Sequence, residues 1–245
     1  MNKVFFFLLI FIQSFAAFSQ TLEYLNAMRY PVLDTSKYGY EYFQIITEKE
    51  GVIHSQIFNL DSVKIYHATA LVDQNRTKTS ERILSYYPHG AKESAKRIDY
   101  ENRKTEEKNY YQDGSLKSDI SVLGGEIVSE IYYAVSGEEI AKPVIEQASP
   151  KGGLKGWNSY LVKVLRYPSE ARERGAEGTV LLEFDLDEQG MICNVRVGNP
   201  EFVHPALWKE AVRVVEAYPH KWTPKKENGK PIVEPVRLPI RFKLG

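Results

Sequence analysis

Cysteine is all but missing from this chain: Cys193 stands alone in 245 residues, so no intramolecular disulfide can staple the fold. Its place inside an apolar strand pattern predicts a buried thiol, not a redox or catalytic one. An excess of one charge is missing too. The 32 basic residues are matched by 32 acidic ones, which removes the electrostatic case for a nucleic-acid partner. Beyond the N-terminus no apolar run is long enough to cross a bilayer. Close ligand groups are absent. His54, His67, His89, His204 and His220 form no HExxH or related cluster, and Cys193 has no histidine near it in sequence. There is no GxSxG elbow and no glycine loop of the nucleotide-binding kind. Asp185 and Asp187 lie two apart, but turn chemistry accounts for Asp187, and Asp185 is expected to face solvent opposite Phe184. These absences predict a non-enzymatic protein with no cofactor, metal or small-molecule substrate.

What is present begins with a leader. Lys3 precedes an apolar run over residues 4–12, with small Ala17 and Ser19 after it. That pattern predicts a signal peptide over residues 1–19, cleaved before Gln20. The alternative is an uncleaved inner-membrane anchor, for which a core of about ten apolar residues is short against the roughly twenty a spanning helix needs.

Residues 20–146 are polar and rich in tyrosine. Tyr86-Tyr87-Pro-His-Gly90-Ala-Lys92 recurs as Tyr110-Tyr111-Gln-Asp-Gly114-Ser-Leu-Lys117, and weakly as Tyr132-Tyr133 followed by Gly137. Each copy reads as a strand, a tight turn at glycine and a return strand, with Asp113-Gly114 the strongest turn signal. A second turn is expected in each period, near Glu101-Asn102 and at Gly124-Gly125. Repetition at this period predicts an elongated antiparallel sheet that grows by adding hairpins. The segment resembles the tandem YYxxGxxK repeats of the MORN-like family. Further strands are expected around Phe43, Val52 and Val63, and residues 73–81 read as a polar loop. A short linker, residues 147–156, leads to a second domain over residues 157–245.

In that domain Leu154, Trp157, Leu161, Val164 and Leu165 recur at helical spacing as one core stripe. Pro168 to Gly175 carries the end signals of a brief helix. Val180, Leu182, Phe184 and Leu186 alternate as a strand with one buried face; residues 187–190 turn, and residues 192–197 return. Leu207, Ala211, Val214 and Val215 mark a further helix. A basic loop over residues 225–230 leads to a last strand whose prolines, Pro235 and Pro239, mark an edge or an irregular strand. The fold class expected is α+β: a small antiparallel sheet packed against helices, preceded by the hairpin-repeat sheet.

The order of Tyr167-Pro168, Gly178-Thr-Val180, Phe184-x-Leu-Asp187-x-x-Gly190, Ile192-x-x-Val195-x-Val197, Trp222-Thr-Pro224, Asn228-Gly-Lys-Pro231 and Leu238-Pro-Ile-Arg-Phe242 resembles the C-terminal domain of TonB. The resemblance implies a periplasmic domain that captures the TonB-box peptide of an outer-membrane, TonB-dependent receptor by strand addition. The edge it implies is the last strand, with Val236, Arg237, Leu238, Ile240, Arg241, Phe242 and Lys243 as candidate peptide-binding residues. A homodimer through the same edge is the alternative occupant. Because the leader reads as cleavable and a repeat sheet replaces a proline-rich spacer, a periplasmic adaptor is expected first. The alternatives are an anchored energy transducer and a purely structural or oligomerisation module.

Overall fold

The computed structural model describes residues 19–187 and 189–245; apart from Ser19, the expected leader lies outside them. Eleven strands form the first sheet: β1 (Ser19–Leu25), β2 (Pro31–Val32), β3 (Tyr42–Lys49), β4 (Val52–Asn59), β5 (Lys64–Val72), β6 (Lys78–Tyr86), β7 (Lys92–Asp99), β8 (Lys104–Tyr110), β9 (Leu116–Leu123), β10 (Glu126–Tyr133) and β11 (Glu139–Ile140). Each consecutive pair from β3 to β11 is an antiparallel hairpin, and the spatial order is β11 through β3, then β1, then β2. This is the elongated repeat sheet, and the strands upstream of the tyrosine repeats belong to it.

The repeat has a physical basis in its turns. Gly90, Gly114 and Gly137 take φ of 89°, 88° and 85°, and their amides donate to the carbonyls of Tyr87, Tyr111 and Ala134. The left-handed turn is open to glycine without a Cβ penalty. Ala134, not Tyr133, therefore stands where Tyr87 and Tyr111 stand, so the third copy aligns one residue later than its tyrosine pair suggests. Tyr87 Oη donates to the Tyr110 carbonyl at 2.7 Å, and Tyr111 Oη to the Tyr133 carbonyl at 2.8 Å. Each second tyrosine ties its turn to the next one, and the chain of ties ends at Ala134, which has no hydroxyl. Lys92 and Lys117 lie over the rings of Tyr110 and Tyr111 at 5.0 Å and 5.6 Å.

One expectation in this region is corrected. Residues 78–81 are not loop but the start of β6, where Glu81 is 8% exposed and is held by Lys78 Nζ and Tyr100 Oη at 2.7 Å and 2.9 Å. In a single-layer sheet most positions on both faces stay half-buried, so a strand can form without the apolar alternation that would have revealed it.

The chain then forms β12 (Ile145–Glu146), α1 (Gly153–Val164), α2 (Ser169–Glu173), β13 (Gly178–Leu186), β14 (Ile192–Val197), α3 (Pro205–Glu216), β15 (Lys226–Glu227), β16 (Lys230–Pro231) and β17 (Val236–Phe242). The small sheet has the order β14-β13-β17. Val180, Leu182 and Phe184 of β13 point to one face and are fully buried with Leu207 and Ala211 of α3, each large side chain contributing about 1.5–3 kcal/mol. Small Ala211 lets α3 lie close to the sheet. An aromatic cluster fills the other end of the core. Trp157 meets Tyr218 and Trp222 with ring centroids 5.1 Å and 5.9 Å apart, and Trp222 meets Phe184 at 5.3 Å.

Three further details differ from expectation. Leu154, expected in the α1 stripe, is 72% exposed; it sits in the first turn, and Trp157, with Tyr160 and Leu161 packed beside it, carries α1 into the core. Cys193 is half-buried, because β14 is an edge strand that nothing covers on its outer side. Residues 225–230 are a hairpin, not a basic loop. Asn228 and Gly229, at φ of 51° and 76°, make the turn of β15 and β16, and β12 pairs alongside.

Among the described residues the eleven-stranded sheet touches the rest of the chain near Gly198 and near Glu227. Asn26 Nδ2 donates to the Gly198 carbonyl at 2.8 Å, and Glu201 accepts the amides of Leu33 and Asp34 at 2.9 Å each. Farther along, Lys117 Nζ lies 3.3 Å from Glu227.

Candidate functional site

The register of β17 decides what its edge offers. Gly178 opposes Phe242, Val180 opposes Ile240, Leu181 opposes Pro239, Leu182 opposes Leu238 and Phe184 opposes Val236. On the other side of β13, the Leu181 amide donates to Asn199 Oδ1 at 2.9 Å, and its carbonyl accepts the Gly198 amide at 2.8 Å. Leu181 thus has no backbone group left for β17. Because bonded and non-bonded pairs alternate in an antiparallel ladder, Val236, Leu238, Ile240 and Phe242 bond inward to β13. Arg237, Pro239 and Arg241 turn their backbone groups outward. No strand lies beyond them among the described residues.

Pro239 is therefore compatible with a regular strand, since the donor it lacks would have pointed outward. The free row presents the amides of Arg237 and Arg241 and the carbonyls of Arg237, Pro239 and Arg241. A proline in the middle of the row also limits indiscriminate strand pairing.

The side chains divide just as cleanly. Val236, Leu238, Ile240 and Phe242 face the helices and pack in or against the core, with Tyr167 meeting Phe242 edge-on at 5.8 Å. Arg237, Arg241 and Lys243 are exposed. On the outer face Arg196, Glu183 and Arg237 form one cross-strand row. Glu183 is 4% exposed and accepts from Arg196 Nε at 3.2 Å and Arg237 Nε at 2.9 Å. Arg196 also grips Asp185 through two nitrogens at 2.8 Å and 3.1 Å. Its hydrogen bond to Asp185 raises the guanidinium pKa, and the Asp185 carboxyl is lowered by the same bond. Asp185 lies on the outer face opposite Phe184, as expected, and is there a structural partner of Arg196. The Arg237 side chain remains 67% exposed, free to meet a neighbouring strand.

Sequence reasoning missed the surface across from the start of this strand. Gln147 and Ala148 line one wall of a cleft of about 450 Å³ whose other wall is Pro235, Val236 and Arg237. No motif marked them, because they are ordinary residues placed there by the pairing of β12 with β15. Among the described residues no three His, Cys, Asp or Glu side chains gather as metal ligands would.

Residues 163–244 match the family described as Gram-negative bacterial TonB protein C-terminal. A curated relative, Protein TonB of Vibrio cholerae serotype O1, is 37% identical over 79 residues, covering 32% of this chain. The chain spans 31% of that relative's length. No solved structure matches. The matched domain type is non-catalytic, in agreement with the non-enzymatic expectation. The match begins at residue 163, so the MORN-like resemblance of the tyrosine repeats rests on their sequence alone. Residues 163–244 are thus similar to the C-terminal domain of TonB.

Proposed function

We propose that this domain binds an envelope receptor by accepting an extended receptor segment, of the TonB-box kind, along the outer edge of β17. The observation that carries the reading is the unpaired row at Arg237, Pro239 and Arg241. Two donors and three acceptors, at about 0.5–1.5 kcal/mol each, supply about 2.5–7.5 kcal/mol before the cost of ordering the peptide. That range corresponds to micromolar or weaker binding, suited to a contact that must be released. Backbone bonding sets affinity, and the outer and inner side-chain faces set which sequences fit.

The relative named Protein TonB favours the receptor-binding end of an energy transducer over the free periplasmic adaptor drawn from the sequence. The adaptor reading rests on the apolar leader with its small residues before Gln20. Only a tethered chain can transmit pull, so the fate of the leader separates the two. Cell fractionation with N-terminal sequencing decides it: an intact leader in the inner membrane supports the transducer, and a mature chain starting at Gln20 refutes it. Strand capture is tested by titrating the full chain with a receptor-derived peptide while following backbone NMR shifts. Saturable shifts along residues 236–243 support it, and their absence refutes it. A homodimer paired through β17 would compete with the peptide, and sedimentation with and without peptide would detect it.

A further inference from the structure

We infer that the captured strand is held on both sides, between β17 and the junction segment at Gln147–Ala148. This rests on the strand-capture reading and extends it to a second wall that lies outside the family match, which begins at residue 163.

The junction segment is itself part of a ladder. Ile145 opposes Glu227, Glu146 opposes Lys226, and Ser149 opposes Thr223, while the Asn228 amide donates to the Val144 carbonyl at 2.8 Å. Ser149 and Thr223 exchange both backbone bonds, at 2.9 Å and 2.7 Å. They are therefore a bonded pair; because bonded pairs recur every second residue, the odd step from Val144 to Ser149 leaves the ladder irregular at Gln147 and Ala148. Neither Gln147 nor Ala148 makes a backbone hydrogen bond among the described residues. Ala148 lines the cleft, and Arg237, whose backbone groups point outward from β17, lines it from the other wall.

The cleft, about 450 Å³, has room for part of an extended chain. The Lys225–Glu234 ion pair also lines the cleft. A strand laid there would pair with Arg237 on one side and Ala148 on the other. It would join β14-β13-β17 and β12-β15-β16 into one sheet with the ligand as an inner strand. The β15 residue Glu227 touches Lys117 of the tyrosine-rich sheet, so the seat for the second wall is braced by the N-terminal domain.

The test uses the full ¹⁵N-labelled chain and a blocked nine-residue peptide of alternating threonine and valine. At saturation, amide exchange should slow at Ala148 as well as at Arg237 and Arg241. Ala148→Pro, which removes the donor, should weaken binding roughly tenfold, and Ala148→Gly, which keeps it, should leave binding within about twofold. Slowed exchange at Arg237 and Arg241 with no change at Ala148 overturns the two-sided slot and leaves edge capture standing. No slowing at any of the three defeats edge capture and the slot together. Should Ala148→Pro fail to fold, the exchange pattern of the unaltered chain decides alone.

Discussion

Replacing Pro239 by alanine should make the edge of β17 a better trap for a strand while barely touching the stability of the domain. Pro239 opposes Leu181, whose backbone groups are already taken by Asn199 and Gly198. The new amide therefore points outward, so no bond to β13 is gained. In the free protein the cost is the lost restriction of the unfolded chain, about 0.4–1 kcal/mol. In the complex the new amide gives the ligand a third donor, at about 0.5–1.5 kcal/mol, or roughly two- to tenfold in Kd. Urea denaturation of the full chain measures the first effect, and titration with a strand peptide the second. The variant should also self-associate more readily, since the proline no longer interrupts the free row; sedimentation velocity would show it. A stability loss above about 3 kcal/mol, or an affinity unchanged or weakened, would refute the inward–outward assignment on which the site rests.

Three further outcomes follow from the geometry. Gly190→Ala places a Cβ 2.3 Å from the Trp222 carbonyl oxygen at a φ of 81°, where the Gly190 carbonyl also accepts the Trp222 amide at 2.7 Å. It should cost about 3 kcal/mol or more and lower the melting temperature, because strain and displacement of a core tryptophan add. At Gly198 a Cβ would lie 2.7 Å from Met28 Sδ and 2.9 Å from Tyr30 Cδ2; Gly198→Val should loosen the junction between the two sheets and open it to limited proteolysis while both domains keep their circular dichroism. The Arg196 hydrogen bond holds the Asp185 carboxyl below its ordinary value, so its contribution is present above the unfolded pKa of about 3.9 and lost as pH falls. Asp185→Asn should flatten the acid limb of the stability curve below about pH 4, leaving the slope near neutrality unchanged.

Much of this architecture is legible in the chain because packing and turns write directly into residue types. Val180, Leu182 and Phe184 alternate as a half-buried strand must, and Leu207, Ala211, Val214 and Val215 recur at helical spacing; the structure buries all of them. Gly90 and Gly114 mark their turns plainly. Gly137 misled by one position, since the tyrosine pair there is no longer the aligned pair and only the turn hydrogen bond at Ala134 reveals the phase. The opening of β6 was illegible because a single-layer sheet does not demand an apolar face. The edge could be guessed from Pro235 and Pro239, but which backbone groups face outward depends on the Asn199 side chain occupying Leu181. Gln147 and Ala148 gave no signal at all, since their place is fixed by the distant pairing of Ser149 with Thr223.

Amide hydrogen exchange along β17 in the ligand-free chain tests the central claim most directly. The account predicts alternation: slow exchange at Leu238 and Ile240, whose amides bond to β13, and fast exchange at Arg237 and Arg241, whose amides have no partner among the described residues. Uniformly slow exchange across the four would mean that the row is already covered, and the proposed receptor edge would not exist.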